Sequence, residues 1–173
     1  VDARWTLSTQ LAGEPLTLVA GLNWDRLASH RRGYNNFDGT TTGVLGALRR
    51  DEDNLLYDFD QYLQAALQLT PAFSLNAGLR RSKVKFASTD LYIVGTNPND
   101  SGSTSFTATL PVVGVLVALS PEWRLYATAG RGFETPTLNE LAYRPGGATG
   151  LNFALQAARS SSIEAGVKAR VAD

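Results

Sequence analysis

There is no cysteine in these 173 residues, and there is a single histidine. The first absence excludes disulfide staples, a thiolate nucleophile and Cys-based zinc sites. The second leaves His30 with no imidazole or thiolate to share a metal ion, and leaves no Ser/His/Asp arrangement to argue for. Lack of cysteine suits an exported bacterial protein as well as a cytosolic one, so it does not decide the compartment. Charge of one sign is missing too: 16 basic residues balance 16 acidic ones, and nothing advertises a nucleic-acid surface. Nor is there a long hydrophobic run. The longest nearly unbroken apolar stretch, residues 110–119, contains Pro111 and Gly114; a membrane helix needs about 20 such residues, whereas a tilted membrane strand needs about 9–11. The chain opens on strand-like residues rather than a signal sequence, which points either to processing or to a piece of something larger.

What the chain does have is apolar residues at every second position. In residues 120–141, SPEWRLYATAGRGFETPTLNEL, the triplet Ser120-Pro121-Glu122 supplies a tight turn, because proline presets φ and serine bonds the nearby backbone. Trp123, Leu125, Ala127 and Ala129 then alternate with Arg124, Tyr126, Thr128 and Gly130, the period of a strand with one apolar face. Pro136 cannot donate to a ladder, so pairing is expected to stop there, and the chain to about residue 159 reads as an irregular loop.

The same unit recurs. Trp5, Leu7 and Leu11 share a face in residues 3–12; Gly13-Glu14-Pro15 makes a tight connection, and Leu16, Leu18, Ala20, Leu22 and Trp24 continue the alternation. Residues 28–54 read as a long loop with a short helical or strand turn near 44–48. From Leu55 to Leu69 the apolar side (Tyr57, Phe59, Leu63, Leu67) opposes Asp58, Asp60, Tyr62 and Gln64. Thr70-Pro71-Ala72 turns the chain into Phe73, Leu75, Ala77 and Leu79, after which the apolar parity shifts to Val84 and Phe86, suggesting a bulge or a stretch projecting beyond the buried zone. Residues 96–104 form another polar loop, residues 105–119 a further strand, and Ile163, Ala165, Val167, Ala169 and Val171 the apolar side of the last.

The fold class is therefore all-β: an antiparallel up-and-down meander of about seven long strands, with short turns near residues 13, 71 and 121 at one end and long loops at the other. That asymmetry, with runs longer than the usual ~5–6 residues, is the pattern of part of a transmembrane β-barrel. Trp5, Trp24, Tyr57 and Phe59 fall at loop ends while Phe73 and Trp123 fall at turn ends, as two interfacial aromatic belts would. The pattern alone also admits a soluble antiparallel β-binding module, its apolar faces packed on one another.

LYATAGRGFETPTLNEL, followed by a loop and SSSIEAGVKARV, resembles the barrel of TonB-dependent outer-membrane receptors of the siderophore type. The resemblance is carried by Leu125-Tyr126, Gly130, Gly132-Phe133, Pro136-Thr137, Glu140-Leu141, Glu164, Gly166 and Lys168; Ala158-Arg159 replaces the family's usual Pro-Glu. It implies a non-enzymatic receptor in the bacterial outer membrane, one that captures a ferric siderophore or similar chelate and uses no cofactor. Heme, cobalamin and copper remain open as cargo. It further implies membrane lipid, a plug domain and a TonB-type energy coupler as partners, and about 22 strands in the whole barrel. Residues 1–173 would then be a partial barrel domain, without the plug and the remaining strands.

Candidate ligand-binding residues sit in the expected loop: Arg31, Arg32, Tyr34, Phe37, Arg49 and Arg50. Guanidinium groups suit anionic chelates and aromatic rings pack on planar ligands, although basic clusters on outer loops also pair with lipid phosphates. Asp51-Glu52-Asp53 lacks the spacing of a calcium loop and reads as a solvated acidic run balancing Arg49-Arg50. Gly130-Arg131-Gly132 has no Gly-Lys-Ser/Thr after it and no helix behind it, so it is not a phosphate loop. Tyr126, Gly130, Gly132, Phe133, Pro136, Thr137, Glu140, Glu164 and Gly166 are expected to be structural, with Glu134, Asn139 and Glu140 bonding plug or loop backbone. A barrel enzyme of the outer membrane, the other alternative, would need a nucleophile paired with His30, and no motif supplies one.

Overall fold

The computed structural model describes residues 1–144, 146 and 150–170. In chain order the elements are β1 (Asp2–Leu11), β2 (Glu14–Tyr34), β3 (Phe37–Asp38), β4 (Thr41–Thr42), β5 (Leu48–Thr70), β6 (Phe73–Asp90), β7 (Gly102–Ala118), β8 (Trp123–Glu134), the single-turn helix α1 (Leu138–Leu141) and β9 (Ala158–Ala169). Seven of the strands make one antiparallel sheet in the order β1-β2-β5-β6-β7-β8-β9, a meander in which every neighbour in space is the next long strand in sequence. β1 and β9 are its edges and run in the same direction, so they cannot pair antiparallel with each other. Val171, expected at the end of the last strand, lies outside the described residues.

Each short connection has a local cause. Between β1 and β2 the two turn residues, Ala12 and Gly13, have φ of 54° and 90°, the primed turn that matches strand twist. Between β5 and β6 the Thr70 hydroxyl accepts from the Ala72 N–H, and before β8 the Ser120 hydroxyl accepts from the N–H groups of Glu122 and Trp123.

The ladders place the side chains on two faces. On one, Trp5, Ala20, Leu63, Leu79 and Pro111 lie level with one another across β1, β2, β5, β6 and β7. This outer face is apolar and uncovered: Leu63 is 55% exposed and Leu79 50%. No second layer packs on it among the described residues, as a soluble sandwich would require. Tyr62, Arg80 and Leu110 lie on the opposite, inner face, together with the buried Glu52, Asn54 and Asp60. Arg80 donates to the Asp60 carboxylate there.

Three expectations are corrected. The stretch 28–54 is not one loop: β2 continues to Tyr34 and β5 begins at Leu48, leaving residues 35–47 as the connection, its local pairing at β3 and β4 rather than near 44–48. Charge pairing replaces apolar packing in the extension, where Arg32 opposes Asp51, Arg31 opposes Glu52 and His30 opposes Asp53. Asp51-Glu52-Asp53 is accordingly not a solvated run, since it lies in β5 and Glu52 is buried. The parity change at Val84 and Phe86 is not a bulge, because β6 keeps register with both neighbours through that stretch. These side chains instead point to the inner face, where Phe86 and Phe106 meet edge to face at 6.1 Å and pack with Leu141 and Leu151 of the β8–β9 connection. That connection folds back over the inner face at the loop end; its Leu141 is fully buried.

β2, β5, β6 and β7 hold 21, 23, 18 and 17 residues. About 9–11 residues suffice to cross a bilayer, so each of these strands is roughly twice the length that a crossing needs. Replacing Leu63 by Lys on the outer face is expected to cost about 2–4 kcal/mol of insertion into lipid vesicles, whereas Gln64→Lys on the inner face should cost less than about 1 kcal/mol. The folded fraction in vesicles across a urea series measures both.

Candidate functional site

The loop end of the sheet collects the chemistry. Period two splits the candidate arginines at once: Arg31 and Arg50 share the inner face with Glu52, while Arg32 is on the outer face with Asp51. Arg31 Nη1 and Arg50 Nε lie 3.6 and 3.7 Å from the two Glu52 carboxylate oxygens, and Asn54 Nδ2 donates to Glu52 Oε1 at 3.1 Å. One buried carboxylate thus holds two guanidinium groups. The ladder slips one residue between Gly33 and Tyr34, which makes Arg49 the extra residue of a bulge. Arg49 lines a cleft with Arg50, Glu52, Asp90, Asn97 and Asp100, and it makes no ion pair among the described residues. Tyr34 and Phe37 sit at the exposed tip, 40% and 50% accessible, apart from that cleft.

On the outer face Arg32 Nε donates to Asp51 Oδ2 at 3.1 Å. The His30 ring nitrogens lie 2.7 Å from Asp53 and 3.0 Å from Asp51. His30 is thereby occupied by carboxylates, and no group of three metal-ligating side chains forms among the described residues.

The motif residues gather at two structural junctions. Tyr126 pairs with Gly166 across β8 and β9, and its ring lies over the glycine so closely that a Cβ there would come within 2.6–2.7 Å of it. The Tyr126 hydroxyl donates to Glu164 at 2.7 Å, and Lys168 Nζ sits 5.2 Å from the ring centroid. Gly130 faces Val112 at the last pair of the β7–β8 ladder, and Gly132 faces Ser160 with space too small for a Cβ. Phe133 packs against the inner cluster.

Pro136-Thr137 opens α1. The helix, which the sequence pattern did not anticipate after Pro136, is a capping box. Thr137 Oγ1 accepts from the Glu140 N–H at 3.2 Å, and Glu140 Oε2 accepts from the Thr137 N–H at 2.7 Å and from its hydroxyl at 2.9 Å. Glu140 therefore bonds its own loop. Leu141, next in sequence, fills the core cluster.

What the alternation could not reveal is that Val84, Phe86 and Phe106 belong with Leu141, Leu151, Phe153 and Leu155. The visible signal was the parity switch itself, which has one reading when a face is assumed wholly polar and another when a loop covers it.

A single seven-stranded antiparallel wall with an uncovered apolar outside, a polar inside and its long connections at one end matches part of a transmembrane β-barrel. The description "TonB dependent receptor-like, beta-barrel" matches residues 1–173, and the chain belongs to that family. Among solved structures it resembles the ferric citrate transporter FecA in its unliganded form, with 18% identity and a TM-score of 0.68 over 94% of this chain and 23% of that one. It also resembles the open form of the ferric-catecholate import receptor Fiu from E. coli K12, with 13% identity and a TM-score of 0.54 over 78% of this chain and 25% of that one. The chain spans about a quarter of the length of these two solved structures.

The two hydrogen bonds from Thr137 hold the Glu140 carboxyl below its usual pKa. A depressed folded-state pKa means that the box is fully formed above the ordinary glutamate range, about pH 4.3, and is lost as pH falls through the lowered value. Protection of the Thr137 amide against hydrogen exchange, relative to an unstructured amide at the same pH, is therefore expected to be complete at neutral pH and to be lost as pH falls through the lowered Glu140 value, and in Glu140→Gln this loss of protection with acid should disappear.

Proposed function

We propose that residues 1–173 form about a third of the wall of an outer-membrane receptor, seven of about 22 strands, and that the complete receptor takes up an anionic iron chelate with energy drawn from a TonB-type coupler. The observation that carries this reading is the family match over the whole chain, joined to a loop end where Arg31, Arg49 and Arg50 stand on or beside the inner face. Guanidinium groups recognise carboxylate and catecholate oxygens by charge and by paired donors. Ferric citrate and a ferric catecholate are the cargoes for which the two similar structures are named. The chelate class is thus a ferric siderophore or a like anion, with Tyr34 and Phe37 at the tip as first contacts and Arg49 as the guanidinium least committed to a protein carboxylate. The function is transport, without a catalytic step or a bound cofactor. An inner face that must be covered supports a plug domain: Asn54 Oδ1 and Asp60 Oδ1 are buried and find no hydrogen-bond partner among the described residues.

Uptake of radioactive iron by cells that depend on the full-length receptor tests this. Accumulation from an anionic ferric chelate is expected, and it should cease when the membrane potential is collapsed. Arg49→Ala combined with Arg50→Ala should weaken chelate binding about 10- to 150-fold, from the loss of about 1.5–3 kcal/mol of charge-assisted contact. Uptake indifferent to both the potential and the arginines would sink the reading.

A further inference from the structure

Above the apolar band the outer face carries a group of cations that form no ion pair among the described residues. Following the ladders upward from the row Leu63–Leu79–Pro111, the next rows are Leu22–Gln61–Arg81–Thr109, then Trp24–Phe59–Lys83–Thr107, then Arg26–Tyr57–Lys85–Ser105. Arg81, Lys83 and Lys85 therefore stand on one face of β6, with about 6.7 Å between successive side chains. Arg26 lies level with Lys85 two strands away, about 10 Å. Arg26, Arg81 and Lys83 are exposed. None of the four makes an ion pair among the described residues. The acids nearest above them on this face, Asp51 and Asp53, are held by Arg32 and His30. Four like charges on one uncovered face repel one another, and a sheet that needed only solubility would intersperse both signs.

Their height is as telling as their sign. From Leu69 at the turn end to Phe59 is ten residues, about 34 Å along a strand and about 26 Å along the normal at a tilt near 40°, which matches the ~25 Å apolar band of such barrels. Lys83, level with Phe59 and Trp24, sits in the interfacial layer, Arg81 just below it and Lys85 just above. Long basic side chains at that depth extend toward headgroups, where the chemistry within reach is phosphate.

We propose that Arg81, Lys83, Lys85 and Arg26, framed by Tyr57 and Phe59, form a binding site for a lipid headgroup of the leaflet at the loop end whose phosphate is net anionic, with no cation of its own to neutralise it as choline does. This rests on the membrane placement argued above and adds to it a specific lipid class. The charge complementarity selects phosphate; the aromatic rings and the apolar band beneath select a headgroup attached to acyl chains rather than a free anion.

The test uses the full-length receptor in nanodiscs of phosphatidylcholine doped with a phosphorylated glycolipid or with the same lipid enzymatically dephosphorylated, retained lipid being read by native mass spectrometry. The intact receptor is expected to retain the phosphorylated form selectively. R81Q/K83Q/K85Q should lower retention about tenfold or more, as about 1 kcal/mol per interfacial cation implies, while Arg4→Gln, which removes a cation from the inner face, should change nothing. Should the triple variant fail to insert, Lys83→Gln and Lys83→Glu must give a graded loss. Equal retention by receptor and variants, equal retention of the dephosphorylated lipid, or full displacement by millimolar inorganic phosphate would each overturn the proposal, the last by assigning the ridge to a soluble anion. Co-purification of an acidic polypeptide released by the same substitutions would overturn it in favour of a protein partner. If the receptor inserts into no bilayer, the receptor reading itself falls; retention measured in inserted receptor separates the two failures.

Discussion

An antiparallel ladder that does not slip fixes, for every residue along it, which side of the wall its side chain occupies. Here the six ladders of the main sheet keep that assignment over strands of up to 23 residues, with shifts at Gly33/Tyr34 and Gln68/Thr70, both at strand ends. Everything else follows from it. The register that turns Leu63 and Leu79 outward also turns Asp60, Arg80 and Tyr62 inward, and higher up it sets Lys83 on the outside and Phe86 on the inside of the same strand. One slipped residue in β6 would put the cations into the inner core and the phenyl ring into the interface.

That rule also marks what could be read from the residues alone. Alternation identified the strands across the apolar band, because there the two faces differ in polarity at every step; Leu55 to Leu69 is the clearest case. It failed where both faces are polar. From Arg26 to Tyr34 and from Leu48 to Asn54 the strand is held by backbone pairing and by charges opposed across it, Arg32 to Asp51 and Arg31 to Glu52, which in a linear sequence look like a charged loop. Register is a long-range quantity, and no local window contains both members of such a pair. The same limit hid the cleft: Arg49 and Arg50 are neighbours in sequence, but Asp90 and Asp100 reach them only through the β5–β6 ladder and the loop after it.

The motif residues have a different kind of legibility. Thr137 and Glu140 carry their own geometry, a capping box closed by three local hydrogen bonds. Read as a resemblance they named a family; read as chemistry they explain why the chain leaves β8 in a fixed direction and delivers Leu141 to Phe86 and Phe106. Tyr126 and Gly166 work as a pair across two strands, the absent side chain of one making room for the ring of the other. Neither half would suggest the other from its own neighbourhood.

The order of the strands also governs how such a wall can assemble. Every ladder of the main sheet joins a long strand to the next long strand along the chain, so no pairing waits on a distant partner. The entropy of closing a loop grows with its length, and the connections at the turn end, two residues at Ala12-Gly13 and a few around Pro71 and Pro121, are far shorter than those at the other end. Pairing therefore costs least to begin at the turns and proceeds toward the loops, as three zippers pulled from one hem. The β8–β9 connection, the longest, costs most to close, and the packing of its Leu141 and Leu151 on Phe86 of β6 and Phe106 of β7 offsets that cost.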